Sequence, residues 1–134
     1  MTNPPDGSMP VASEPDIVLA RQQVRRLTQE LKFSLVDQTK MITAASELAR
    51  NTLVYGGGGA MEWSLVNSGV RTGLKLSFVD RGPGIPDLDL ALKDGWTSGS
   101  GMGMGLSGSK RLVNDFEIDT AVGRGTRVTI TRWK

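Results

Sequence analysis

Glu47 and Asn51 lie four residues apart in MITAASELARNTLVY, so on a helix they project from one face about one turn apart. A carboxylate and a carboxamide placed in this way have the chemistry of a general base and of a hard oxygen ligand for Mg²⁺. Any solvated polar face presents the same spacing, and the pair alone does not choose between the two. Asp80 closes the apolar run LKLSFVD and leads into Arg81-Gly82-Pro83-Gly84-Ile85-Pro86. An acceptor at a strand end, followed by small residues and an apolar Ile85, suits an amino-bearing purine. The carboxylate accepts from the exocyclic amine while the glycines admit the ring. A plain turn fits the same residues. In SGSGMGMGLSGSK, glycines at 99, 101, 103, 105 and 108 stop directly before KRLVNDF. Glycine lets backbone N–H groups approach a ligand closely, and a helix starting near Gly105 would aim its unpaired N–H groups and positive dipole end at an anion, a phosphate above all. A surface loop is the alternative reading.

Two standard glycine motifs do not apply. Gly103-Met-Gly105-Leu-Ser-Gly108 satisfies G-x-G-x-x-G, but more glycine precedes it where a strand is needed, and too little chain follows for a crossover. The phosphate loop fails because no Gly-Lys-Ser or Gly-Lys-Thr occurs.

The elements that must position these residues follow from period and punctuation. Residues 1–14, with Pro4, Pro5, Gly7 and Pro10 and little bulky apolar side chain, read as a flexible tail, and residues 15–134 as one domain. DIVLA reads as a short strand, and a helix follows from Arg21 on Val24, Leu27 and Leu31. Asp37 caps a second helix whose stripe is Ile42, Ala45, Leu48, Ala49 and Leu53, ended by GGGG at 56–59. The four glycines exceed what a helix stop requires. MEWSLV and LKLSFVD read as strands joined through NSGVRTG, DLALKDG as a short helix, and Leu106 to Phe116 as a helix. FEIDTAV and TRVTITRWK are two last strands, with Val128, Ile130 and Trp133 toward the core. Helices bunched together and strands in hairpins predict an α+β sandwich, one mixed, mostly antiparallel sheet covered on one face.

Composition narrows the chemistry. The 134 residues contain no Cys and no His, so thiolate metal sites and imidazole catalysis are excluded, and acid–base work falls to Glu, Asp, Lys or Tyr. Sixteen Lys and Arg against fourteen Asp and Glu give a net charge of +2, too balanced to argue for nucleic acid. No apolar run approaches the ~20 residues of a membrane span, and the N-terminus has no targeting pattern. A soluble, cytoplasmic protein is expected.

In order along the chain, E-x-x-x-N, D-x-G-x-G-I and G-x-G-x-G-L-x-x-x-K-R fall at a helix, a strand end and a loop-to-helix junction, with Gly123-Arg124-Gly125-Thr126 closing the series. This resembles the GHKL ATP-binding family, which includes histidine kinases, gyrase-type ATPases and the bacterial anti-sigma serine kinases. The resemblance covers nearly all of Asp16 to Lys134. DIVLARQQVRRL, VDQTKMITAASELARN, DRGPGIPD and LKDGWTSGSGMGMGLSGSKRLVNDFEI are similar to the switch kinases of bacterial stress signalling. With no histidine to phosphorylate, the resemblance points to a minimal kinase of the serine type, on the two-layer sandwich of the GHKL (Bergerat) fold.

The resemblance implies ATP and Mg²⁺ as cofactors, with Glu47 as the base toward a Ser or Thr hydroxyl and Asn51 on the metal. It implies Asp80 on the adenine amine, Gly82, Gly84 and Ile85 around the ring, and Thr126 assisting near the base. Gly101, Gly103, Gly105 and Leu106 would belong to the lid and phosphate cradle. Lys110 stands between phosphate contact and, with Arg111, a solvated basic face; Arg50 stands between partner contact and plain surface. Implied partners are STAS-domain antagonist or scaffold proteins as substrates and a PP2C-type phosphatase activated by binding. A non-catalytic module that sequesters a regulator is the rival reading, and simple ATP hydrolysis a third.

Overall fold

The computed structural model describes residues 4–84 and 105–134. Strand β1 (Gly7–Val11) leads into helices α1 (Glu14–Glu30) and α2 (Leu35–Val54), then the hairpin β2 (Gly59–Ser68) and β3 (Arg71–Asp80). A short helix α3 (Gly105–Arg111) precedes the second hairpin, β4 (Asp115–Ala121) and β5 (Gly125–Trp133). The sheet order is β1-β2-β3-β5-β4. All four pairings are antiparallel.

Alternation along the strands decides which face is covered. Met61, Phe78 and Val128 stand in one register row, and Trp63, Leu76 and Ile130 in the next. Their side chains join Val24, Leu27, Met41, Ala45 and Leu48 of the helices in one apolar core. The other face carries Glu62, Lys75, Ser77, Arg127 and Thr129, joined by an Arg127–Glu62 ion pair at 2.9 Å and a Ser77–Thr129 hydroxyl pair at 3.0 Å. The α+β sandwich with helices on one face is therefore the observed architecture.

Several element boundaries differ from the reading of the sequence. Residues 7–11, expected in the tail, form an edge strand because Met9 and Val11 alternate with Ser8 and Pro10, which sends Val11 fully inside. Pro10 is tolerated because an edge strand need not donate on its outer side. DIVLA is helical: the spacing Ile17, Ala20, Val24, Leu27 extends the buried stripe one turn earlier than Arg21, and leaves Val18 and Leu19 outside. Pro15 and the acidic Glu14 and Asp16 suit a first turn, and Asp16 accepts from the Ala12 N–H at 2.9 Å. The cap of α2 is Ser34, whose hydroxyl accepts from the Asp37 N–H. Helix α3 stops at Arg111, short of Phe116, because Phe116 and Ile118 alternate as strand residues and Asn114 is already tied to β5. The helix expected in DLALKDG lies outside the described residues. Trp133 is on the sheet face away from the helices, stacked under Arg71 at 4.8 Å, while Val128 and Ile130 are buried as expected.

Candidate functional site

The site is built where α2 runs out and β3 ends. Tyr55 and Gly56 donate their N–H groups to the carbonyl of Asn51, the chain turns through the glycines, and Gly59 enters β2 opposite Asp80. Asp80 is paired on its other side with Thr126, so both residues present their side chains on the helix-covered face.

Asp80 is held from several directions by bare backbone. Its Oδ1 accepts from the Gly82 N–H at 2.9 Å, fixing the carboxylate over the turn that follows. A Cβ on Gly56 would overlap that carboxylate, and one on Gly82 would stand 2.8 Å from the Gly56 Cα. Gly125, at φ +104°, passes so close to the Asp80 carbonyl that no side chain fits. Gly84, at φ +78°, is likewise pressed against the Ala121 carbonyl, and Pro83 accepts from the Gly123 N–H at 2.9 Å, which ties the Asp-Arg-Gly-Pro-Gly turn to the β4–β5 turn. Gly56 to Gly59, unexplained in the sequence, thus makes room for Asp80 and lets β2 begin tight against Val79. Asp80 remains partly exposed, an acceptor at the end of a glycine-walled recess.

Glu47 sits one turn before Asn51 on α2, and both are half-buried. Glu47 Oε2 is shut away from solvent without a hydrogen-bond partner among the described residues. An unpaired buried carboxylate oxygen costs about 1–3 kcal/mol or more, so its position asks for an occupant that donates to it. The Asn51 side chain carries a hard oxygen of the kind that Mg²⁺ takes, and Mg²⁺ needs only one or two protein oxygens when phosphates complete its shell. Glycine walls, a fixed acceptor at Asp80, the orphaned Glu47 oxygen and Asn51 fit a magnesium nucleotide.

Of the residues singled out in the sequence, Asn51, Asp80, Gly82, Gly84 and Thr126 come together where α2 ends, and Glu47 stands one turn before Asn51 on the same helix. Gly105 opens α3, which packs against α2. Leu106 is buried in the apolar core, and Lys110 is exposed in the last turn of α3. Ile85, Gly101 and Gly103 lie outside the described residues. Arg50 pairs with Glu14 at 3.4 Å on an exposed surface. Gly56 and Gly125 stand out in the sequence, in GGGG and in the closing Gly-Arg-Gly-Thr, but without a role against Asp80, which only the structure gives them. The sequence reading missed Thr120, whose hydroxyl meets that of Thr126 at 2.9 Å and which carried no signal before the register was known.

Comparison with known proteins agrees with this geometry. Residues 36–134 match the family described as histidine kinase-, DNA gyrase B-, and HSP90-like ATPase. The serine/threonine-protein kinase RsbT of Bacillus subtilis (strain 168) is 42% identical over 123 residues, 92% of this chain and 92% of that one. The solved RsbU and RsbW domains of Rv1364c from Mycobacterium tuberculosis superpose with a TM-score of 0.64 at 20% identity, over 97% of this chain and 34% of that one. This chain therefore spans about a third of that protein. The mycobacterial sensor histidine kinase MprB superposes with a TM-score of 0.55 at 20% identity, over 95% and 97% of the two chains. These two structures bear on the fold alone.

Proposed function

The chain belongs to the histidine kinase-, DNA gyrase B- and HSP90-like ATPase family and is a serine/threonine-protein kinase within it; on that premise we propose that it is a Mg²⁺-dependent partner-switching kinase that phosphorylates STAS-domain antagonist or scaffold proteins and engages a PP2C-type phosphatase as its alternative partner. ATP supplies the transferable phosphoryl group, and Mg²⁺ neutralises charge on the phosphates. The residues of the chain do the rest. Asp80 accepts from the amine of the base, Gly82, Gly84 and Ile85 admit the ring, and Thr126 assists beside it. Asn51 holds the metal. Gly101, Gly103, Gly105 and Leu106 belong to the phosphate cradle of this reading, and Lys110 is its candidate phosphate contact. Glu47 would take the proton from the attacking Ser or Thr hydroxyl as its oxygen bonds the γ-phosphorus, while the bond from that phosphorus to the β–γ bridging oxygen breaks and ADP leaves with the electron pair. Positioning and charge stabilisation suffice for such transfer, which is why a domain without histidine or cysteine can perform it.

The observation that carries this reading is the buried Oε2 of Glu47, one turn from Asn51 and without a hydrogen-bond partner among the described residues. A module that only sequesters a partner gains nothing from an acceptor kept dry at that cost. No described helix is long and apolar enough to cross a membrane. A cytoplasmic location is part of the proposal.

Isothermal titration of ATP with and without Mg²⁺, on the wild type and on Asp80→Asn, tests the site. Binding should need Mg²⁺ and weaken at least about tenfold in the variant, the scale expected when a base-recognising acceptor is exchanged for an amide. No binding at millimolar ATP, or equal binding by Asp80→Asn, would overturn it and leave the sequestering module.

A further inference from the structure

We propose that Thr120 is a positioning residue for purine choice: it commits the proton of the Thr126 hydroxyl, so that Thr126 faces the base as an acceptor and, together with Asp80, favours a 6-amino over a 6-oxo purine. The proposal rests on the reading of Asp80 as the base acceptor.

Thr120 on β4 pairs directly with Thr126 on β5, and Thr126 pairs with Asp80 on β3, so the three side chains form one row on the helix-covered face. The two hydroxyl oxygens are 2.9 Å apart, where either one is able to donate. A second contact bears on which of them does. The Thr120 hydroxyl lies 3.2 Å from the Gly125 carbonyl, which can only accept. A hydroxyl has one proton, so with the Thr120 proton on Gly125 the bond between the threonines is donated by Thr126. Gly125 pairs with Ala121 across the β4–β5 turn, next to the Thr120–Thr126 pair.

Thr126 then offers only lone pairs to a base that its row neighbour Asp80 also contacts. An exocyclic amine brings two protons to such a pair of acceptors. A 6-oxo group brings lone pairs and meets two acceptors with no donor, an arrangement whose cost is that of unpaired buried polar groups. Without Thr120 the Thr126 proton is released, its hydroxyl rotates, and it donates to a 6-oxo group.

The test is titration of MgATP and MgITP on the wild type, Thr120→Val, Thr120→Ser and Asp80→Asn. The wild type should prefer ATP. Thr120→Val should lose about three- to tenfold of that preference, chiefly through tighter ITP, as expected for one hydroxyl contact. Thr120→Ser, which keeps the hydroxyl, should restore the preference. Should the valine variant not fold, Thr120→Ala carries the same expectation. An unchanged ATP/ITP ratio in the variant lacking the hydroxyl, an equal loss for both nucleotides, or a serine variant that behaves like valine would overturn the role of Thr120. ATP binding unchanged in Asp80→Asn would instead overturn the reading of Asp80 on which it rests.

Discussion

Asp37 shows how much a single side chain can tie together outside the site. Its carboxylate, in the first turn of α2, accepts from Arg132 near the end of β5, and Arg132 also donates to the Leu112 carbonyl at 2.9 Å, so one guanidinium joins three parts of the fold. The Arg132 hydrogen bond, above all, holds the Asp37 carboxyl below the ordinary carboxylate range, and the Arg132 charge and the Ser34 and Lys40 contacts act in the same direction. A carboxyl whose pKa is lower folded than unfolded stabilises the fold above the unfolded value of ~4, and that contribution disappears as pH falls through the folded value. Asp37→Asn should therefore cost about 1–2 kcal/mol at neutral pH. The difference from wild type should shrink as urea melts are repeated from about pH 5 toward pH 2. At Glu47, by contrast, the type and spacing of a base are legible in the sequence, but the burial of an oxygen without a partner among the described residues belongs to tertiary packing that spacing does not encode.

At the scale of elements, long stripes were legible and short segments were not. Helix α2 was read correctly through Leu48, Ala49 and Leu53 because its period repeats for five turns. DIVLA misled because a short apolar run satisfies helix and strand alike, and only the stripe it shares with Val24 and Leu27 decides. The glycine run at 56–59 was visible but mute, since its reason is the carboxylate of a residue more than twenty positions later. Its members do different work, which substitution should separate. Gly57→Ala meets no neighbouring atom and should cost only the strain of its φ of +73°, about 1–2 kcal/mol. Gly59→Ala would drive a Cβ into the Val79 carbonyl, so chemical melts should show a larger loss, above about 2 kcal/mol, with the β2–β3 pairing disturbed. Equal effects at the two positions would contradict this division.

For the whole molecule, the order of the sheet puts β1 at one edge and β4 at the other, with the two helices across one face. The strand β1 closes the core: Val11 is fully buried, Met9 packs beside it, and Asp6 bonds the Leu65 N–H at 2.7 Å. Removal of residues 1–11 should lower the thermal midpoint by several degrees, roughly the effect of losing 2–4 kcal/mol of buried side chain and edge pairing in a domain of this size. An unchanged midpoint would mean that these residues are the tail their composition resembles. The central claim concerns phosphoryl transfer, and transfer of labelled phosphate from MgATP to the serine or threonine of a STAS-domain protein, by wild type and by Glu47→Gln, tests it most directly. The wild type should transfer the label and the variant should lose at least about a hundredfold, the usual scale of general-base catalysis, with ATP affinity within a few-fold of wild type. Transfer at the wild-type rate by Glu47→Gln would contradict that claim.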